Sequence, residues 1–348
     1  MPTLSVIVPN FNRETLIGET LANLLSQTRA PDQLIVIDDG STDGSADVIA
    51  GFGKAVMLLR QANAGPAAAR NRGMAQATGD FVQFFDSDDL CSLDKLERQE
   101  SALAACDAPF VYGPWLQARL VDGVAEYAEP PLQQRQLPPS RSALSWYLQG
   151  WVTVFQTCLF RRTALERVGP YREDLTIAED GELLFRILAR CGEPVHVPEA
   201  LVLYRLHAGS QISRGGIAAE HRARDWAHYL GIVGRQLDGV QGIGRRDRQL
   251  WKWRQREAAA ELKALVPGAP APPELPLFGR IAGALAKRIR RWRAGASRRL
   301  GGSSFPTPYQ AGELTHGQQA RLAAIGFETR RVSARGFAAA EAATSQGA

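Results

Sequence analysis

The sequence predicts an α/β protein built on a mostly parallel sheet. Two observations carry this. Short apolar, β-branched runs alternate with helical patterns through the first hundred residues, and most of these runs end in Pro, Asn or Asp rather than in further apolar residues. Strands separated by helices are joined by right-handed βαβ crossovers, which place neighbouring strands parallel.

The elements follow in order. Leu4–Val8 is a short apolar run ended by Pro9. Residues 14–26 carry Leu16, Ile17, Thr20, Leu21, Leu24 and Leu25 at helical spacing. Leu34–Ile37 is a second strand, closed by Asp38-Asp39-Gly40-Ser41, and Ser45–Ala50 can begin a helix. Val56–Leu59 is a third strand, and Pro66–Ala77 an Ala-rich helix stopped by Gly79. Phe81–Phe85 is a fourth strand, followed by Asp86-Ser87-Asp88-Asp89. Residues 110–127 suggest a hairpin or irregular strands. Ser142–Gly150, Arg162–Val168 and Asp180–Arg190 read as helices, Leu201–Leu206 as a late strand, and Ala218–Leu237 and Arg245–Leu265 as helices. A Pro-rich linker occupies 267–277.

At 348 residues, 45% hydrophobic and 22% charged, the chain can bury a large core. The four cysteines are far apart and lack zinc-ligand spacing, so they read as free thiols. The N-terminal run enters an apolar strand without a basic leader, and no apolar stretch reaches the roughly 20 residues of a membrane span. Eight of the 41 basic residues lie in 278–300, which contains no acid; the remainder is slightly acidic. That distribution argues against a nucleic-acid-binding core, which needs a broad basic face.

Ligands of such sheets bind beyond the carboxyl ends of the strands, where the polar clusters fall. In Asp86-Ser87-Asp88-Asp89, three carboxylates in four positions repel one another unless a divalent cation neutralises them. Alternatively Asp88 or Asp89 caps a helix from Leu93. Asp38 and Asp39 either form an Asx-turn or helix cap, or accept a base N–H. Arg70 and Asn71 follow a Gly turn and either face phosphate or form a solvated face. Glu179-Asp180 either complements a helix dipole or supplies a general base. His207 is either structural or a metal ligand.

Together these segments resemble glycosyltransferase family 2 with its GT-A fold, a Rossmann-like sheet flanked by helices. The matching runs are Ser5-Val-Ile-Val-Pro-Asn-Phe-Asn12, Val36-Ile-Asp-Asp-Gly-Ser-Thr-Asp43, Asn63-Ala-Gly to Ala69-Arg-Asn-Arg-Gly73, Phe84-Phe-Asp-Ser-Asp-Asp89, Val168-Gly-Pro-Tyr171, Ala178-Glu-Asp180 and Tyr204-Arg-Leu-His207. The resemblance implies a nucleotide site lined by Pro9 and Phe11, with Asp39 on the base, Arg70 on the nucleotide and Asp86 near the ribose. It implies Mn²⁺ or Mg²⁺ held by Asp88 and His207, and Asp180 as general base. One departure is Gly181, where the family often has an aromatic. The processive members' Gln-x-x-Arg-Trp motif and membrane helices are missing.

The implied activity is inverting, non-processive transfer of a sugar from a nucleoside-diphosphate donor, UDP-linked, to a saccharide or lipid-linked acceptor. The implied role is surface polysaccharide or glycolipid synthesis. A nucleotidylyltransferase and a non-catalytic sugar-nucleotide-binding protein are the alternatives. The domain expectation is a GT-A domain over 1–215, a helical extension over 216–266 and the linker. Phe278, Ile281, Leu285, Ile289 and Trp292 then form the apolar stripe of a basic amphipathic helix at 278–300, suited to an anionic membrane surface, followed by a tail of uncertain structure at 301–348. The expected location is cytoplasmic, peripheral on the inner face of the membrane.

Overall fold

The structure is a computed structural model, which describes residues 2–207, 218–272 and 312–333. The basic segment 278–300 lies outside the described residues.

The main sheet has seven strands. In chain order they are β1 (Leu4–Asn10), β2 (Gln33–Asp38), β3 (Met57–Arg60), β4 (Phe81–Phe84), β6 (Phe110–Tyr112), β9 (Cys158–Arg161) and β10 (Val195–His196). Their spatial order is β10-β6-β9-β4-β1-β2-β3. β1 pairs in parallel with β2 and β4, with Asn10 opposite Asp38 and Ile7 opposite Phe84. β1 is buried through Val8, as a central parallel strand requires. Pro9 stands beyond the last pairing with β4, where a missing N–H is tolerated.

Helices flank this sheet: α1 (Glu14–Leu25), α2 (Ser45–Ala50), α3 (Pro66–Met74), α4 (Lys95–Ala104), α5 (Ala143–Leu148), α6 (Arg162–Val168) and α7 (Glu179–Arg190). The sequence reading left β9 unassigned. This strand runs antiparallel to both β4 and β6, so the sheet is mixed on that side. The expected helix from Leu93 begins at Lys95, with Asp94 at its N-cap position. Asp88 and Asp89 therefore do not cap it.

A second sheet has the order β12-β8-β7-β11-β5, built from β5 (Leu90–Cys91), β7 (Trp115–Val121), β8 (Val124–Tyr127), β11 (Val202–Arg205) and β12 (Glu328–Arg331). Within the stretch read as a tail of uncertain structure, residues 315–331 form helix α10 (His316–Ala324) and β12. Thr315 caps α10 through a capping box with Gln318. Leu314 and Leu322 then pack on Leu116, Ala118, Ala125, Tyr127 and Leu203. The apolar face of the second sheet thus buries itself against residues more than a hundred positions away in sequence.

Helices α8 (Ala219–Leu237) and α9 (Arg245–Leu265) contribute Tyr229, Leu230, Val233 and Trp251 to the cluster that holds Val82, Phe84, Phe155, Tyr171 and Leu184. The helical extension and the sheet share one buried core. No helix among the described residues is long and apolar enough to cross a membrane.

Candidate active site

The carboxyl ends of β1, β2 and β4 bring the polar clusters together. Asn12 adopts φ 51°, a left-handed conformation that Asn tolerates better than most residues. Its N–H donates to Ser41 Oγ (3.0 Å), and its Oδ1 accepts from the Thr42 N–H (2.8 Å). These bonds join the loops after β1 and β2. Gly40, at φ 79°, lets the next loop approach: a Cβ there would stand 2.7 Å from Asn63 N.

Asp38 and Asp39 are both buried but face different partners. Asp38 accepts from Asn10 Nδ2 (3.2 Å) and Arg60 Nε (3.2 Å). Asp39 accepts from Gln61 Nε2 (2.7 Å) and from the N–H groups of Ala64 (2.9 Å) and Gly65 (2.8 Å). Neither caps α2, whose N-cap position is Gly44. Asp39 holds the loop leading into α3. Pro9 is partly buried, and the Phe11 ring stands exposed beside these loops.

The three acids after β4 separate by environment. Asp86 accepts from Arg70 Nη2 (3.0 Å); burial pushes its carboxyl up to about 6, against the pull of Arg70. Asp88 Oδ2 is shared by Arg13 Nε (2.9 Å) and His207 Nε2 (3.1 Å). Burial works against its charge, yet the donors from His207 and Arg13 outweigh it and hold the carboxyl below its ordinary value. Asp89 is fully buried and accepts from the Arg205 N–H (2.9 Å) and Gln156 Nε2 (2.8 Å). Burial, then the charges of Asp88 and Asp86, push it far up. Asp89 is thus a structural group that fixes β11, the strand leading to His207.

Arg70, on α3, is buried and donates outward in two directions. Nη1 reaches Glu179 Oε1 (2.9 Å), Nη2 reaches Asp86, and Asp180 Oδ1 lies 3.9 Å from Nη1. The guanidinium also sits over the Tyr171 ring, 5.5 Å from its centroid. Burial and the neighbouring Asp180 raise Glu179 to about 8. Asp180 Oδ1 and Tyr171 Oη are buried without a hydrogen-bond partner, as is Arg70 Nε. One cation therefore ties the acid behind β4 to the acidic start of α7, and Asp180 Oδ1 faces it without a hydrogen bond.

Sequence reasoning did not assign roles to Arg13, Gln156 or Arg205. Arg205 Nη2 bonds Thr20 Oγ1 (2.7 Å), and the guanidinium also engages Glu19 and the Asp88 carbonyl. The available signals were position alone: Arg13 directly follows Asn12, and Arg205 stands in the same short run as His207. Their carboxylate partners, Asp88 and Glu19, lie 75 and 186 residues away.

The residues fit a divalent ion in their donor chemistry. Among the described residues no three His, Cys, Asp or Glu groups converge on one point. Asp88 and His207 do meet, giving one oxygen and one nitrogen donor. Mn²⁺ and Mg²⁺ commonly complete such a site with substrate phosphates.

A mostly parallel sheet with flanking helices, and acids gathered at its strand ends, defines the GT-A class of transferase. The chain belongs to glycosyl transferase family 2, whose sequence profile matches residues 5–169. It is 30% identical over 234 residues to an uncharacterized glycosyltransferase of Nostoc sp., covering 64% of this chain and 71% of that one. The chain spans 41%, 63% and 71% of the length of three curated relatives it matches. The crystal structure of S. aureus TarS 1-349 in complex with UDP-GlcNAc matches with a TM-score of 0.54 at 18% identity, over 86% of this chain and 82% of that one. The mannosyltransferase PcManGT from Pyrobaculum calidifontis, in complex with GDP-Man and Mn²⁺, matches with a TM-score of 0.52 at 21% identity, over 93% and 86%. At these identities the structural likeness bears on the fold.

Proposed function

We propose that the protein is an inverting glycosyltransferase that moves a sugar from a nucleoside-diphosphate donor to a hydroxyl of a saccharide or lipid-linked acceptor. The observation that carries this is the position of Asp180. Its carboxylate stands at the start of α7, within ion-pair distance of Arg70, which also holds Asp86. Oδ1 is buried beside Arg70 while the Asp180 side chain as a whole is 29% exposed, so the carboxylate presents its other edge to an incoming hydroxyl and can take its proton there.

In this reading the acceptor oxygen attacks the anomeric carbon as its proton passes to the exposed edge of the Asp180 carboxylate. The bond from that carbon to the diphosphate oxygen breaks on the opposite side, and the nucleoside diphosphate leaves with the electron pair. When bound, a divalent ion held by Asp88 and His207 would neutralise charge growing on the diphosphate. The exposed Phe11 ring and the loops fixed by Asp39 suit a nucleoside base. The neighbours' UDP-GlcNAc and GDP-Man complexes support a nucleotide-sugar donor, and we favour UDP. Surface polysaccharide or glycolipid synthesis is the corresponding cellular role, served by the basic 278–300 segment at the membrane.

Asp180→Asn tests the proposal. Transfer should fall by about 10²–10⁴-fold, the usual contribution of a general base, while UDP binding with Mn²⁺ persists. Near-normal transfer by this variant would remove Asp180 from the role.

A further inference from the structure

Glycine at 181 has a tertiary cause. A Cβ there would lie 3.2 Å from Tyr229 Oη and 3.4 Å from its Cζ, so the space beside the start of α7 is taken by a ring from α8. Tyr229 is immobilised: its hydroxyl bonds that of Tyr147, and its ring meets Trp251 edge-on at 6.0 Å. Tyr147 Oη in turn donates to the Gly181 carbonyl (2.9 Å).

The preceding turns of α8 grip the same segment. Asp225 accepts from the N–H groups of Thr176 (2.8 Å) and Ile177 (3.0 Å), and His221 Nε2 meets Thr176 Oγ1 (3.2 Å). His221, Asp225 and Tyr229 recur every four residues, which is one face of a helix. That face is seated along residues 176–181, the segment that carries Asp180.

Trp226 adjoins this face. Its ring lies 5.1 Å from that of Tyr229, yet its side chain is 36% exposed. An indole braced on one side and open on the other presents a rigid apolar surface with a polar N–H, a combination suited to binding sites. The C–H face of a pyranose matches such a surface.

We propose that Trp226 is a specificity-determining residue, the platform on which the acceptor sugar stacks, held on α8 against Tyr229, whose hydroxyl stands beside Gly181, the residue after Asp180. This rests on the reading of Asp180 as the base that receives the acceptor's proton. It assigns α8 a substrate-binding role besides its packing role.

Saturation-transfer difference NMR on the full chain with UDP and Mn²⁺ tests it. The probes are methyl β-glucoside, methyl β-galactoside, methyl α-mannoside and methyl β-N-acetylglucosaminide. Wild-type protein should transfer saturation to ring C–H protons of at least one glycoside. Trp226→Ala should weaken that binding about tenfold, the scale of one aromatic contact, and Trp226→Phe should retain most of it. If Trp226→Ala melts below the wild type, Trp226→Gln carries the comparison. Equal binding by wild type and these non-aromatic variants overturns the proposal, as does binding of none of the four glycosides by wild type. Failure of the donor-site reading shows separately, as wild-type protein that does not bind UDP with Mn²⁺.

Discussion

Arg13 Nε and His207 Nε2 approach the same oxygen of Asp88, at 2.9 Å and 3.1 Å. In the proposed reading a guanidinium thus occupies the Asp88 oxygen that the divalent ion would take. The two cations compete for one carboxylate, so Arg13→Gln should tighten Mn²⁺ binding without nucleotide by about two- to fivefold, the worth of a partly exposed ion pair. Electron paramagnetic resonance of free Mn²⁺ measures this. Unchanged or weaker affinity would show that Asp88 is not the metal's carboxylate or that Arg13 does not obstruct it. Asp88→Asn should weaken Mn²⁺ binding in the presence of UDP.

Glu179 sets a pH dependence. Its folded pKa, about 8, lies above the ordinary carboxyl value. A carboxyl raised by folding contributes stability that is full below its unfolded pKa and is lost as pH rises through the folded one. The window is therefore from about pH 4.3 to 8. Glu179→Gln removes this titration, so the wild-type melting temperature should fall more steeply across that window than the variant's. Parallel curves would contradict the assignment.

Asp39 separates a structural role from a binding role. Its carboxylate accepts two backbone N–H groups ahead of α3. Asp39→Ala leaves both without their partner and should cost about 2–4 kcal/mol without any nucleotide. Chemical denaturation of the ligand-free protein checks this. A variant with wild-type stability but impaired UDP binding would make Asp39 solely a base contact.

Leu322 tests the C-terminal cover of the second sheet. Its side chain is fully buried. Leu322→Ala should destabilise the protein by about 2–5 kcal/mol, as large-to-small core changes do. A change below about 0.5 kcal/mol, the scale of an ordinary surface substitution, would mean that α10 contributes little to the fold.

Much of the site was legible because strand ends are marked locally. Alternating runs located β1, β2 and β4, the polar residues after them gave the clusters Asp38-Asp39 and Asp86-Ser87-Asp88-Asp89, and the family resemblance singled out Asp39, Asp86 and Asp88 within them. Helix α9 runs over Arg245–Leu265, as its periodicity indicated. Three features were not legible. Strand β9 is only four residues long and pairs antiparallel with strands distant in sequence. The division of labour among the three acids depends on donors from Arg13, Arg70, Gln156, Arg205 and His207. The second sheet's last strand comes from residues 328–331, in an Ala- and Gly-rich region with weak local pattern.

The sequence by itself determined the order of strands and helices and which residue types stand at the strand ends, because both follow from short-range periodicity and turn chemistry. Only the tertiary structure decided which partners each carboxylate meets. Asp89 is buried under Arg205 and Gln156, Asp88 is shared by Arg13 and His207, and Asp180 stays 29% exposed beside Arg70. Burial and ion pairing act through space, between residues that the chain separates by up to 227 positions.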